Sequence, residues 1–296
     1  MISILIPTYN YNVFPLVKEI HKQLTQSKIT FEIVCVDDAS EEKFNNLNES
    51  INTLTFSSFI VLDQNVGRSK IRNLLVSYAN FEWILFLDND VHPASSNFIN
   101  YYLAAINEIS QVICGGIRYQ ENKPNPEEML RWVYGKKREE ISLSIRELNP
   151  YHYFFSANFL IRKSIFSFMK FNENLTNYGH EDTLFALDLK KNGVALSHIN
   201  NSVYHLGLDT SANYITKTEK AIENAFYLFQ KGQIKKTDIR LINKFLQLKS
   251  YRITNLAATI FSLFQKAIIT NLSSKNPLLF LLDMYKLGYL CVISKR

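Results

Sequence analysis

Asp88-Asn89-Asp90 stands directly after the apolar run Trp83–Leu87. Two carboxylates flanking one residue at the end of a buried strand can share a hard cation. Magnesium or manganese prefers such oxygen ligands and completes its shell with water and substrate phosphate. Gly179-His180-Glu181-Asp182 opens a predicted helix, Thr183–Asn192, that Gly193 closes. A carboxylate at that helix start can take a proton from an acceptor hydroxyl. The competing account is that both acids only complement the helix dipole. Asn65-Val66-Gly67-Arg68 leads into a predicted helix, Ser69–Ala79, where Gly67 permits a tight turn and Arg68 and Arg72, four apart, share a face. Two arginines at a helix N-terminus suit a diphosphate or a sugar edge. A solvated basic face would show the same spacing.

These residues need elements to position them. Ile2–Ile6, Phe31–Val36, Phe59–Leu62 and Trp83–Leu87 read as strands, with Val112–Ile117 as a fifth. Val13–Leu24 and Ser69–Ala79 carry apolar residues at helical spacing between them. Such alternation predicts an α/β fold with a mainly parallel sheet and helices on both faces. Polar clusters follow three of the strands directly: Pro7-Thr8-Tyr9-Asn10, Asp37-Asp38-Ala39-Ser40 and Asp88-Asn89-Asp90. Ligands of open parallel sheets bind outside the carboxyl ends of the strands, so the three clusters are expected to line one crevice. Taken singly, Asp38 and Ser40 would only cap a following helix.

The charge is uneven. Residues 206–296 hold 14 Lys+Arg against 5 Asp+Glu, a net of +9, whereas residues 1–205 hold 19 against 22, a net of −3. A basic tail on a slightly acidic body points to an anionic partner surface. In the tail, Ala212–Lys231 and Lys235–Lys249 read as amphipathic helices, and Ile253–Leu272 and Pro277–Ile293 are more apolar. Neither apolar stretch is a clean run of the length a bilayer span needs. Cys35, Cys114 and Cys291 lie far apart and form no Cys-x-x-Cys pair, which indicates neither a zinc knuckle nor a disulfide framework and fits a reducing cytoplasm. The opening MISILIPTYN has no basic region before its short apolar run and is expected to be a buried strand, not a signal peptide. The hydrophobic fraction of 47% suffices for a buried core.

The ordered set PTYN, VCVDDAS, NVGRSKIRN, WILFLDND, FFSANFLIRKSIF and YGHEDTLFALDLKKNG closely resembles the pattern of glycosyltransferase family 2, over roughly residues 1–206. The resemblance implies a GT-A catalytic domain over residues 1–206, with a helical, basic extension over 207–296. It implies inverting transfer of a single sugar from a nucleoside-diphosphate donor, by family habit a UDP-sugar, to a hydroxyl of a glycan or lipid-linked acceptor. By the same resemblance Pro7, Thr8 and Tyr9 line the nucleobase side, and Asp38 or Asp37 hydrogen-bonds the base. Gly67, Arg68 and Arg72 help hold the donor, with Asn89 beside them. Asp88 meets ribose or metal, and Asp90 is the direct ligand of Mn2+ or Mg2+. Ser156, Ala157 and Asn158 lie near the transferred sugar. Asp182 is the base, Glu181 positions a substrate, and His205 stands where some relatives supply a further metal ligand.

Arg131-Trp132 lacks the glutamine of the processive Q-x-x-R-W signature and precedes Glu181-Asp182, which favours one sugar per binding event. A nucleotidylyltransferase would need a glycine-rich loop after the first strand, where this chain has Pro7-Thr8-Tyr9-Asn10. The alternative from another class is an inactive nucleotide-sugar-binding or scaffold protein; Asp90 and Asp182 disfavour it. No nucleic-acid module is recognisable in the tail. An anionic membrane surface is the expected partner of residues 207–296, on the inner face of the cell membrane, with packing on the catalytic domain or in a homodimer as the competing account.

Overall fold

The computed structural model describes residues 1–175 and 178–295. They fall into two compact units: residues 1–120, 139–175 and 181–207 form the first, and 121–138, 178–180 and 208–295 the second. The strands are β1 (Ile2–Thr8), β2 (Phe31–Asp37), β3 (Ser57–Val61), β4 (Trp83–Leu87), β5 (Val91–Pro93), β6 (Val112–Cys114), β7 (Ile117–Arg118), β8 (Asn158–Arg162), β9 (Leu196–His198) and β10 (Val203–His205). The helices are α1 (Phe14–Gln26), α2 (Glu42–Asn48), α3 (Arg68–Tyr78), α4 (Phe98–Ala105), α5 (Met129–Arg138), α6 (Leu143–Leu148), α7 (Glu181–Lys191), α8 (Ser211–Gln230), α9 (Arg240–Ser250), α10 (Thr254–Leu272) and α11 (Leu279–Ile293).

In the first unit a seven-stranded sheet runs in the order β3-β2-β1-β4-β8-β6-β9, and a small sheet in the order β5-β10-β7. The half from β3 to β4 is parallel throughout, as the crossover helices require. The expected α/β sheet is therefore present, with one addition: β8 is antiparallel to both β4 and β6. Its apolar run Phe159-Leu160-Ile161 is three residues long, too short to show a period. The single strand expected over Val112–Ile117 is two strands. A side chain on Gly115 would overlap the Asn201 carbonyl and the Asn158 amide, and Gly116 has φ +95°. The glycine pair thus turns the chain from the large sheet into the small one.

Alternate residues of the strands pack with the crossover helices into one core. Phe86, Phe159, Phe171 and Phe185 lie in it. The Phe171 and Phe185 rings stack with centroids 4.2 Å apart, and Phe86 stacks on Phe159 at 5.0 Å. Phe185 belongs to α7, so this aromatic cluster anchors the helix whose first residues are Glu181 and Asp182. A buried polar knot supports the end of the sheet. Arg146, 2% exposed, donates to His198 Nδ1 at 3.0 Å and to the Ile199 carbonyl at 3.0 Å, while His198 Nε2 lies 2.9 Å from the Pro150 carbonyl. Burial pushes the His198 pKa down to about 4, which matches a neutral ring accepting from Arg146.

The second unit is helical: α5 and α8 to α11 enclose Leu130, Ile215, Phe261, Ile268, Leu272, Leu282 and Tyr285. Helices α10 and α11 approach closely because Gly288 faces the Phe261 ring with no room for a side chain between them. Tyr285 and Tyr289 donate from α11 to Glu219 and Glu223 of α8, at 2.5 and 2.6 Å. The helix expected from Lys235 begins instead at Arg240, because the Asp238 carboxylate accepts the Lys235 N–H at 2.7 Å and closes a turn first. No helix among the described residues is long and apolar enough to cross a membrane.

Candidate active site

The carboxyl ends of β1, β2 and β4 meet as their polar clusters predict. The Asp38 N–H donates to the Thr8 carbonyl at 2.8 Å, and the Asn89 amide reaches the Tyr9 carbonyl at 3.4 Å. Asp37 is fully buried and its carboxylate is spent on its own turn, accepting the Ser40 N–H at 2.7 Å and the Ser40 hydroxyl. Asp38 accepts the backbone N–H groups of Val66 at 2.6 Å and Gly67 at 3.0 Å. That carboxylate ties the end of β2 to the start of α3. Gly67, with φ +87°, takes a conformation a side chain would strain, and turns its N–H toward Asp38. Pro7 is half-buried within β1, the Thr8 hydroxyl is buried with no hydrogen-bond partner, and Tyr9 is 51% exposed at the rim. An orphaned hydroxyl beside an exposed ring suits a ligand that supplies both a polar group and a flat face.

Arg72 is the pivot of the site. Its guanidinium is buried, lies over the Phe171 ring at 5.5 Å and binds Asp88 at 2.6 Å. Arg68, one helical turn earlier, reaches Glu181 at 3.6 Å, but its side chain is 57% exposed and the pair contributes little to stability. Asp182 is half-buried, and its carboxylate accepts its neighbour Thr183's N–H at 2.7 Å. Burial, then the Glu181 carboxylate, push the Asp182 pKa up to about 7; the Thr183 N–H and Arg72 oppose the rise, and Asp88 adds to it. The helix dipole favours an ionised acid at this position, so desolvation and like charge outweigh it here. A carboxyl poised near neutrality is suited to accept a proton.

Asp90 and His205 are 115 residues apart in sequence and are joined by the small sheet. Strand β10 runs antiparallel to β5 with His205 opposite Val91, and the Leu206 N–H donates to the Asp90 carbonyl at 2.8 Å. His205 Nε2 consequently lies 3.5 Å from Asp90 Oδ2. Two ligand atoms each about 2.1 Å from one ion stand roughly 3 Å apart when adjacent in its shell, so the pair fits a divalent cation. The His205 Nδ1 is buried without a hydrogen-bond partner, and the Tyr119 ring stacks on the imidazole at 5.6 Å. Among the described residues no group of three or more His, Cys, Asp or Glu side chains could hold a metal unaided. A cation here would draw its other ligands from water and substrate phosphate, as magnesium usually does.

The antiparallel pairing of β8 with β4 brings Ser156, Ala157 and Asn158 beside Asp88, whose N–H donates to the Ala157 carbonyl at 3.1 Å. Asn158 differs from the expectation that it meets the sugar. It is 1% exposed, donates to the Gly116 and Asn201 carbonyls at 3.0 and 2.9 Å, and accepts from Tyr102 at 2.7 Å. An amide with its hydrogen bonds already made has none to spare for a substrate. Three contributors escaped sequence reasoning. Tyr11 feels the Asp90 charge, which adds to the rise that burial imposes on its pKa. Tyr119 covers His205, and Gly207 packs so tightly on Asp90 that a side chain there would overlap the carboxylate. A glycine two residues after His205 was the one local signal available.

Three known proteins frame this geometry. A teichoic acid poly(glycerol phosphate) polymerase of Staphylococcus epidermidis is 26% identical over 198 residues, which cover 64% of this chain and 26% of that protein. The chain thus matches about a quarter of that relative's length. The S. aureus TarS fragment 1–349 in complex with UDP superimposes with a TM-score of 0.51 at 18% identity, covering 100% of this chain and 92% of the other. A mannosyltransferase of Pyrobaculum calidifontis in complex with GDP-Man and Mn2+ gives 0.57 at 11% identity, covering 100% and 88%. These likenesses show a shared GT-A fold. The model of the family described as glycosyl transferase family 2 matches residues 3–169, more than half of the chain, and the chain belongs to that family of glycosyltransferases.

Proposed function

We propose that the protein transfers one sugar, with inversion, from a UDP-sugar to a hydroxyl of a glycan or lipid-linked acceptor in cell-surface polymer synthesis. The observation that carries the reading is a convergence: Arg72, Asp88, Asp90, Glu181, Asp182 and His205 come from four separate elements and turns to one rim. The nucleoside lies against Pro7, Thr8 and Tyr9, on the turn that Asp38 holds. Arg68, Arg72 and the N-terminus of α3 face the diphosphate, where their charge favours it. Asp90 and His205 hold Mn2+ or Mg2+, with Asp88 beside them. When bound, the cation supplies positive charge against the leaving diphosphate. Asp182 accepts the proton of the acceptor hydroxyl as that oxygen attacks the anomeric carbon; Glu181 and Arg68 orient the sugar. A base on one face of the sugar and the leaving group on the other need no covalent enzyme intermediate.

The Staphylococcus relative's name supports a teichoic-acid type of polymer as the acceptor, and the complexes of the fold relatives support a nucleotide donor and a divalent ion. The test is a donor panel with manganese, reading nucleoside diphosphate release and the anomeric configuration of the product by NMR. A UDP-sugar turned over with inverted configuration, and no turnover in excess chelator, is the expected result. Retained configuration, or full activity with chelator present, overturns the reading.

A further inference from the structure

We infer that helix α10 is a docking face for an anionic lipid bilayer. On this helix Ala258, Phe261, Ile268 and Leu272 are buried in the helical core of the second unit. Leu256, Ile260, Leu263 and Phe264 are 60%, 43%, 75% and 59% exposed. At the ~100° per residue of an α-helix these four fall within about 100° of arc, centred about 130° around the helix from the buried set. The helix is therefore apolar on two faces, only one of which the fold covers. Soluble surfaces seldom carry such a stripe without a partner. The preceding turn adds Tyr251, 74% exposed, and Ile253, 40% exposed.

Charge selects the partner. Residues 239–282 contain no Asp or Glu, and they carry Arg240, Lys244, Lys249, Arg252, Lys266 and Lys275, all exposed. The acid that ends this stretch, Asp283, is paired with Arg138 at 2.9 Å. A two-fold dimer through this face would set the same cations against themselves, since such an interface is self-complementary. An anionic bilayer offers what the face lacks: hydrocarbon for the leucines and phenylalanine, and negative headgroups for the lysines and arginines. Helices α9 and α10 meet at 117°, so they do not form one continuous span, and the face lies along the surface.

Vesicle flotation tests this without donor, metal or acceptor, so the outcome is separate from that of the reaction proposed above. Wild-type protein at low salt should float with vesicles of equal parts phosphatidylglycerol and phosphatidylcholine, and not with phosphatidylcholine alone. The double variant L263S/F264S and the triple variant K249Q/R252Q/K266Q should each bind about tenfold or more weakly, with unchanged donor hydrolysis and circular dichroism. Failure to float with the anionic vesicles overturns the inference, as does equal binding to neutral ones or undiminished binding by L263S/F264S. A dimer in sedimentation that L263S/F264S abolishes overturns it too, by assigning the face to a second copy.

Discussion

The strand-end rim and helix α10 depart from an optimal fold in opposite ways. At the rim, charged groups are taken out of water: Arg72 is buried against Asp88, and Asp182 is burdened by burial and by Glu181. Along α10, apolar groups are left in water, with Leu263 75% exposed. The first arrangement costs stability in the unliganded protein and the second costs solubility. Other elements of the same chain obey the ordinary rules, with β1 and β4 buried and the lysines of α9 exposed. Departures from consistency concentrate where a protein meets something other than itself. The rim's kind of departure is what the proposed chemistry on a charged substrate would require, and the helix's kind is what the proposed docking to a bilayer would require.

The sharpest way to break this contrast is Asp182→Asn. If the rim is strained for catalysis, transfer should fall by about 10²–10⁴-fold with little change in donor affinity. The unliganded variant should at the same time be more heat-stable at alkaline pH. A carboxyl raised from 3.8 to about 7 binds a proton in the folded chain that the unfolded chain releases. Its destabilisation is therefore absent below the unfolded value, grows as pH rises through that window, and is complete above about 7. Thermal melts across this range should show the slope in the wild type and lose it in the variant. Rate against pH should likewise fall on the acidic side with a midpoint near 7. A wild-type rate in Asp182→Asn would move the base to another group.

A smaller effect is expected at Gly207. Replacing it by alanine forces the Asp90 carboxylate to shift, and displaced support of a metal ligand typically costs about 10–100-fold in affinity. The manganese dependence of transfer measures it, and an unaltered dependence would separate Asp90 from the metal. Asp38→Ala leaves the Val66 and Gly67 N–H groups without their acceptor and should cost about 1–3 kcal/mol in denaturant unfolding. A neutral result would mean that water replaces the carboxylate at that turn. The smallest effect belongs to the helix: L263S/F264S should change folding stability by no more than about 0.5 kcal/mol, because both side chains already face solvent. A larger loss would mean that the exposed stripe is part of the core after all.

Three strands of the parallel half, β1, β2 and β4, were legible because each is a largely apolar run ending in its own polar cluster. Burial on both faces writes that signal locally, in Ile2–Thr8 as in Trp83–Leu87. Helix α7 and its acids were legible through Gly193 and the apolar spacing after Glu181. Strands β8, β5 and β10 were not read as strands, since β5 and β10 are three residues long and the apolar run of β8 is no longer, too short to carry a period. The roles of Asp37 and Asn158 were equally hidden. Whether a carboxylate or amide is free for a ligand depends on which neighbours have already taken its lone pairs and protons, and Ser40 and Tyr102 are chosen by the fold.

The sequence by itself determined which acids and arginines exist, which follow a strand or open a helix, and that the last ninety or so residues are basic and apolar together. Residue type and local period are properties of neighbours along the chain, and those suffice for such statements. Only the tertiary structure decided that His205 stands opposite Val91 and beside Asp90, that Arg72 is locked to Asp88, and that Asp182 is pushed toward neutrality. It also decided which face of α10 remains in water. Desolvation, pairing and exposure are set by atoms distant in sequence and a few ångströms away in space, so no window along the chain contains them.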